Sequence, residues 1–204
     1  MSEQIYYSSA ESQSAGKMII NEGVSGSVGN SFVLTNEGGG RFVYGGIPNG
    51  SVSSFPAYTA EESTSVFTLA KAFLNIAPMT HKKLQKLCYY AKAWYLALYD
   101  TNLIAEDFEA WVHGAVQPAL YQQYRCYGFQ TIPQVSSLLG VPEEFISFAR
   151  EVYDSYGDLT GDELEILNHS EDPWIKARAG AKPWERCSNI ILEEDMKAFY
   201  RSRI

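Results

Sequence analysis

From Thr64 onward, apolar side chains recur at intervals of three and four, the spacing that lays one greasy stripe along a helix. The first such stretch, Thr68 to Ile76, is stopped by Pro78. Thr80 then stands as an N-cap for a long helix to about Tyr99. In that long helix Leu84, Leu87, Cys88, Ala91, Trp94, Tyr95 and Leu98 share a face, which leaves Lys82, Lys83, Lys86 and Lys92 for the wet side. Pro118 fits the first turn of a further helix carrying Leu120, Tyr121, Tyr124 and Tyr127, with Gly128 ending it. Pro142 opens the most regular stretch, in which Phe145, Phe148, Ala149, Val152, Tyr153 and Tyr156 keep the helical rhythm. Thr160-Gly161-Asp162-Glu163 has the form of a capping box ahead of a short helix through Leu164 and Leu167 that delivers His169 into a loop. Ile190 to Leu192 reads as a brief strand, and Glu193 to Tyr200 as a closing helix with Met196 and Tyr200 inward. The expected fold is mainly α, a compact helical domain with minor β pieces.

The first sixty residues obey none of this periodicity. Ten of the 16 glycines fall within the first fifty positions, among many Ser and Asn, and the change near Ser63 divides the chain into an extension, 1–62, and a helical domain, 63–204. Within the extension, Lys17 to Ile20, Ser31 to Thr35 and Arg41 to Tyr44 are β-prone. The last two flank Asn36-Glu37-Gly38-Gly39-Gly40, which suits a hairpin with a glycine bulge. A lone hairpin is marginal in water, so this one is expected either to dock, on the helical domain or on a partner, or to remain mobile.

Composition narrows the function classes. A chain of 204 residues with 46% hydrophobic residues can bury a real core, and 24 acidic against 16 basic residues leave a net charge of -8. Such a surface opposes nucleic acid and anionic membranes and favours a basic protein partner, although acidity also serves solubility alone. Cys88, Cys126 and Cys187 are widely separated, which suits free thiols in a reducing cytoplasm better than a disulfide framework or a zinc quartet. Met1-Ser2-Glu3-Gln4 begins neither a basic nor an apolar leader, and no apolar run reaches spanning length; the expected location is cytoplasmic.

Candidate chemistry is sparse. His81, His113 and His169, joined by Glu171 or Asp172, would make a metal or acid–base site for a small hydrolase if they converged, but they lack ligand spacing, and no metal or cofactor is expected. No Gly-x-Ser-x-Gly elbow occurs, Cys88 lies on the apolar stripe, and Gly38-Gly39-Gly40 lacks the Lys-Ser/Thr sequel of a phosphate loop. Trp111, His113 and Trp174 sit beside polar turns, where aromatics either fill gaps between helices or anchor an interface. Tyr121 to Tyr127 is interleaved with Arg125 alone, too little for a nucleic-acid stripe, and no helix-turn-helix reader is apparent.

Three blocks in fixed order carry a resemblance: Leu84-Gln85-Lys86-Leu87-Cys88-Tyr89-Tyr90-Ala91, then Trp111-Val112-His113-Gly114-Ala115-Val116-Gln117-Pro118, then His169-Ser170-Glu171-Asp172-Pro173-Trp174. Together they resemble the Panacea, or SocA-like, antitoxin domain of bacterial and prophage toxin–antitoxin operons, over roughly Ser65 to Ile204. The resemblance implies a non-enzymatic antitoxin that binds a cognate toxin encoded beside it, and allows for an adaptor that hands its toxin to a protease. The motif residues are Leu84, Gln85, Lys86, Leu87, Tyr89, Trp111, His113, Gly114, Pro118, His169, Pro173 and Trp174, as scaffold or interface. One departure stands out: Ala115 occupies a place where the family usually has proline, which restores an amide donor and predicts a looser or differently paired turn. Toxin contact is expected in the 1–62 extension, including Phe32, Phe42 and Tyr44. The alternatives are a metal-assisted hydrolase on His81, His113 and His169, and a phage accessory or structural protein.

Overall fold

A computed structural model of the protein describes residues 33–37, 41–45 and 65–204. Strands β1 (Val33–Glu37) and β2 (Arg41–Gly45) pair antiparallel, with Val33 opposite Gly45 and Glu37 opposite Arg41, which is the hairpin that the glycine run predicts. Phe42 and Tyr44 lie on β2; Phe32 and the β-prone run 17–20 fall outside the described residues.

Helix α1 (Val66–Ile76) starts two residues before its apolar pattern becomes legible, because the Val66 amide is taken up by Glu106 Oε1 at 3.0 Å, a contact forty residues away. Strand β3 (Met79–Thr80) leads into α2 (His81–Tyr99), where the Thr80 side chain accepts from the Lys83 amide as an N-cap should. Next come the hairpin strands β4 (Glu109–Trp111) and β5 (Gly114–Val116), then α3 (Pro118–Tyr124), which has proline in its first turn. Tyr127 belongs to a separate 3-10 turn, Arg125–Tyr127, which ends at Gly128. Strand β6 (Thr131–Ile132) returns to pair with β3. Helices α4 (Glu143–Tyr156), α5 (Gly161–His169), α6 (Asp172–Ala177) and α7 (Glu193–Arg201) complete the domain. The run 190–192 forms a single bridge, Glu109 to Ile190, rather than a strand, because Leu192 is already committed as the residue that caps α7.

Helix α2 is the axis of the core. It packs against α1, α3, α4, α5, α7 and β5, so every residue from Leu84 to Ala97 is buried, not only those on the predicted stripe. That enclosure overturns the expectation of a wet side at Lys86 and Lys92, which are 1% and 0% exposed. Periodicity identifies a face that must be buried but is silent on how many neighbours surround the helix. Lys92 is held at Nζ by the Glu106 carbonyl and by Glu193 Oε1, both at 2.8 Å, so its charge is compensated where water cannot reach. Aromatic residues fill much of the interior: Tyr90 stacks on Tyr156 with centroids 4.3 Å apart, and Trp94 Nε1 donates to the Tyr156 hydroxyl at 2.7 Å.

The capping box at α5 is complete. The Glu163 amide donates to Thr160 Oγ1, and the Thr160 amide donates to Glu163 Oε2 at 2.7 Å. Replacing Thr160→Ala is expected to cost about 1 kcal/mol in chemical denaturation, the usual worth of an N-cap.

Candidate interaction site at the Gly114 turn

All three sequence blocks meet at one hairpin turn. Gln85 and Lys86, from the long helix, reach into the backbone of the Trp111–Pro118 block. The Gln117 amide donates to Gln85 Oε1 at 2.8 Å while Gln85 Nε2 donates to the Gln117 carbonyl at 3.2 Å. Lys86 Nζ donates to the carbonyls of His113, at 2.5 Å, and Ala115, at 2.9 Å. The third block closes the ring: Trp174 Nε1 donates to the Trp111 carbonyl at 3.1 Å. The Ala115 amide donates at 2.6 Å to Oδ1 of Asn168, the residue just before that block, so the donor restored at this position is used and the turn is pinned rather than loosened.

Behind the turn lies a buried polar chain. Asn168 Nδ2 donates to Glu171 Oε2 at 3.2 Å, and the Tyr200 hydroxyl donates to the same oxygen at 2.7 Å. Burial drags the Lys86 ammonium down from 10.5 to about 7, with the Glu165 carboxylate drawing it back up and Lys82 pressing it further down. Between pH 7 and 10.5 the unfolded chain therefore holds a proton that the native protein has shed. The unfolded state binds more protons in that window, so this site makes stability rise with pH across it. From pH 7 to 9 the unfolding free energy of the native sequence is expected to gain about 2 kcal/mol relative to Lys86→Met, which keeps the length and removes the charge. Urea titrations of both proteins at the two pH values read this difference directly.

The histidines do not assemble into one site. His81 meets the edge of Tyr121 at 5.6 Å, His113 Nδ1 lies 3.0 Å from Glu165 Oε1, and His169 stacks on Trp174 at 4.2 Å. Burial lowers the pKa of both His81 and His169. Burial raises Glu165, but hydrogen bonds from Lys82 and His113 outweigh it and hold the carboxyl below its ordinary range. Among the described residues no three His, Cys, Asp or Glu side chains are placed to hold a metal ion. The Cys88 thiol is fully buried and pushed well up by that burial, the behaviour of a small core residue. Among those residues, too, no helix is long and apolar enough to cross a membrane.

The motif residues divide by place. Leu84, Leu87 and Tyr89 are core, Tyr89 meeting Phe108 edge-on at 5.6 Å. Pro118 opens α3, and Pro173 sits in the first turn of α6 beside buried Trp174; His169, expected in a loop, is instead the last residue of α5. Trp111 is half-buried; its Nε1 donates to Glu109 Oε2 at 2.6 Å and its ring meets Tyr121 at 5.1 Å. Outside the turn, Trp111, His113 and Tyr121 form one wall of a groove of about 880 Å³, whose other wall is the loop from Trp184 to Ser188. Sequence reasoning passed over Asn168, Arg178, Trp184 and Arg186. A polar residue at the end of a short helix and a Trp in an aperiodic loop leave no pattern to find.

Residues 84–175 match the family described as antitoxin SocA-like, Panacea domain, so the resemblance carried by the three blocks is confirmed over that span. No curated protein and no solved structure matches the chain.

Proposed function

We propose, from the match of residues 84–175 to the SocA-like Panacea antitoxins, that this protein neutralises a toxin encoded by the adjacent gene by binding it directly, in a stoichiometric rather than catalytic role. The observation that carries the proposal further is where the polar groups of the motif and of neighbouring Asn168 go. Gln85, Lys86, Asn168 and Trp174 are spent inside the fold on the Gly114 turn, and what they achieve there is a rigid scaffold. Side chains used in this way are not free to read a partner. Toxin choice is therefore assigned to surfaces outside the shared interior, with the 1–62 extension supplying strands that add to an exposed edge or cover an active site. The net charge of -8 favours a partner that is basic as a whole. Delivery of the captured toxin to a protease is a further use of the same complex.

Tightly controlled expression of the neighbouring open reading frame, with and without this protein, tests the proposal. Growth arrest by the neighbour alone and recovery on co-expression are expected. Absence of toxicity, or arrest that co-expression leaves unchanged, would remove the antitoxin role.

A further inference from the structure

The groove beside the Gly114 turn has two walls of different origin. Trp111 and Tyr121 come from the stretch matched to the family; Trp184 and Arg186 lie beyond it. Trp184 is 75% exposed, an unusual place for an indole. It is nonetheless presented on a fixed turn. Arg178, only 3% exposed, donates from Nη2 to the carbonyls of Lys182 and Glu185, at 2.5 and 2.7 Å, and from Nη1 to the Ala110 carbonyl of the opposite wall at 3.1 Å. Its guanidinium also lies 5.1 Å from the Trp174 ring centroid. One buried cation thus ties the Trp184 turn to the β4–β5 hairpin, which fixes the groove's width before anything binds.

Its charge runs against the rest of the molecule. The chain as a whole is acidic, yet Arg125 and Arg186 line the groove and neither guanidinium meets a hydrogen-bond or ion-pair partner among the described residues. The acid in that lining, Glu109, is already engaged by Trp111 Nε1. Two guanidinium groups without a partner among the described residues, in one groove lining with two indoles and a phenol, form the residue set that dominates protein interface energetics, and they select a carboxylate flanked by an apolar or aromatic side chain.

We propose that this groove is a toxin-docking surface that receives an acidic, aromatic-bearing segment of the toxin, with the Trp111–Tyr121 wall inside the span that matches the family and the Trp184–Arg186 wall beyond it. The proposal rests on the antitoxin reading and adds a contact on the folded domain to that of the extension. Its test is the affinity of the purified full-length chain for the purified product of the neighbouring gene. Trp184→Ala and Arg186→Glu are each expected to weaken binding about 30-fold, the loss of a hot-spot contact. Both positions are exposed, so the melting temperature should not move, and Leu139→Ser, 87% exposed and outside the groove lining, should bind like the native chain. Native affinity should also fall as salt is raised, and less steeply for Arg186→Glu. Binding by the two groove variants within threefold of native would overturn the groove while leaving the antitoxin reading intact. Failure of the native chain itself to bind would overturn both. A native dimer that Trp184→Ala renders monomeric, with toxin affinity unchanged, would assign the groove to self-association and likewise overturn the proposal.

Discussion

Removal of residues 1–62 is expected to abolish toxin neutralisation while leaving the helical domain folded. The second half of that expectation rests on packing: the buried apolar cluster runs from Val66 to Tyr200, and α1 begins with its own cap position at Ser65. Burial of each large side chain in such a cluster is worth about 1.5 to 3 kcal/mol, and every helix that encloses α2 survives the cut. The first half follows from the proposed division of labour, in which the extension supplies adaptable strands and the domain a rigid frame. Circular dichroism and thermal melting of the truncated chain report its fold; co-expression with the toxin reports its activity. A truncated protein that protects cells fully would place all the recognition on the domain, and one that fails to fold would make the extension part of the scaffold.

Gly114→Ala is expected to destabilise the domain by about 3 to 5 kcal/mol, much of what a domain of this size possesses. Gly114 has φ of +88°, a conformation in which a side chain is strained by roughly 1 to 2 kcal/mol before it touches anything. An added Cβ would also stand 2.6 Å from Lys86 Nζ and 2.8 Å from Asn168 Oδ1, both buried. Neither can yield cheaply. Moving the ammonium takes it off the His113 and Ala115 carbonyls, and moving Asn168 releases the Ala115 amide and disturbs Glu171. The penalty should show as a lower urea midpoint with an unchanged slope. A loss under about 1 kcal/mol would mean that the turn can relax, and that Lys86 is not its anchor.

Much of the fold was written in the chain because it is local. Apolar spacing placed the helical stretches, prolines marked the starts of α3 and α4, and the Thr160 capping box needed only four adjacent residues. The interior polar framework was not legible, since it depends on contacts between residues far apart in sequence. Lys86 reads as a surface lysine until the Gly114 hairpin, 27 residues on, brings two carbonyls to it. Asn168 acquires its role only when β5 arrives, and Arg178 only when the loop to Glu185 folds back over it. The three blocks announced a family as strings, and their geometry supplies the reason: each contributes hydrogen bonds to one turn. The groove's second wall escaped for the opposite reason, because the Trp184 turn has no periodicity and lies beyond the matched span.

The central claim is neutralisation by direct contact, and the most direct measurement is complex formation between the purified full-length chain and the product of the neighbouring gene, followed by titration calorimetry. A saturable complex of fixed stoichiometry, formed by the same protein that restores growth, is the predicted result. Restoration of growth with no detectable complex would contradict the account and point to an indirect or catalytic route to protection.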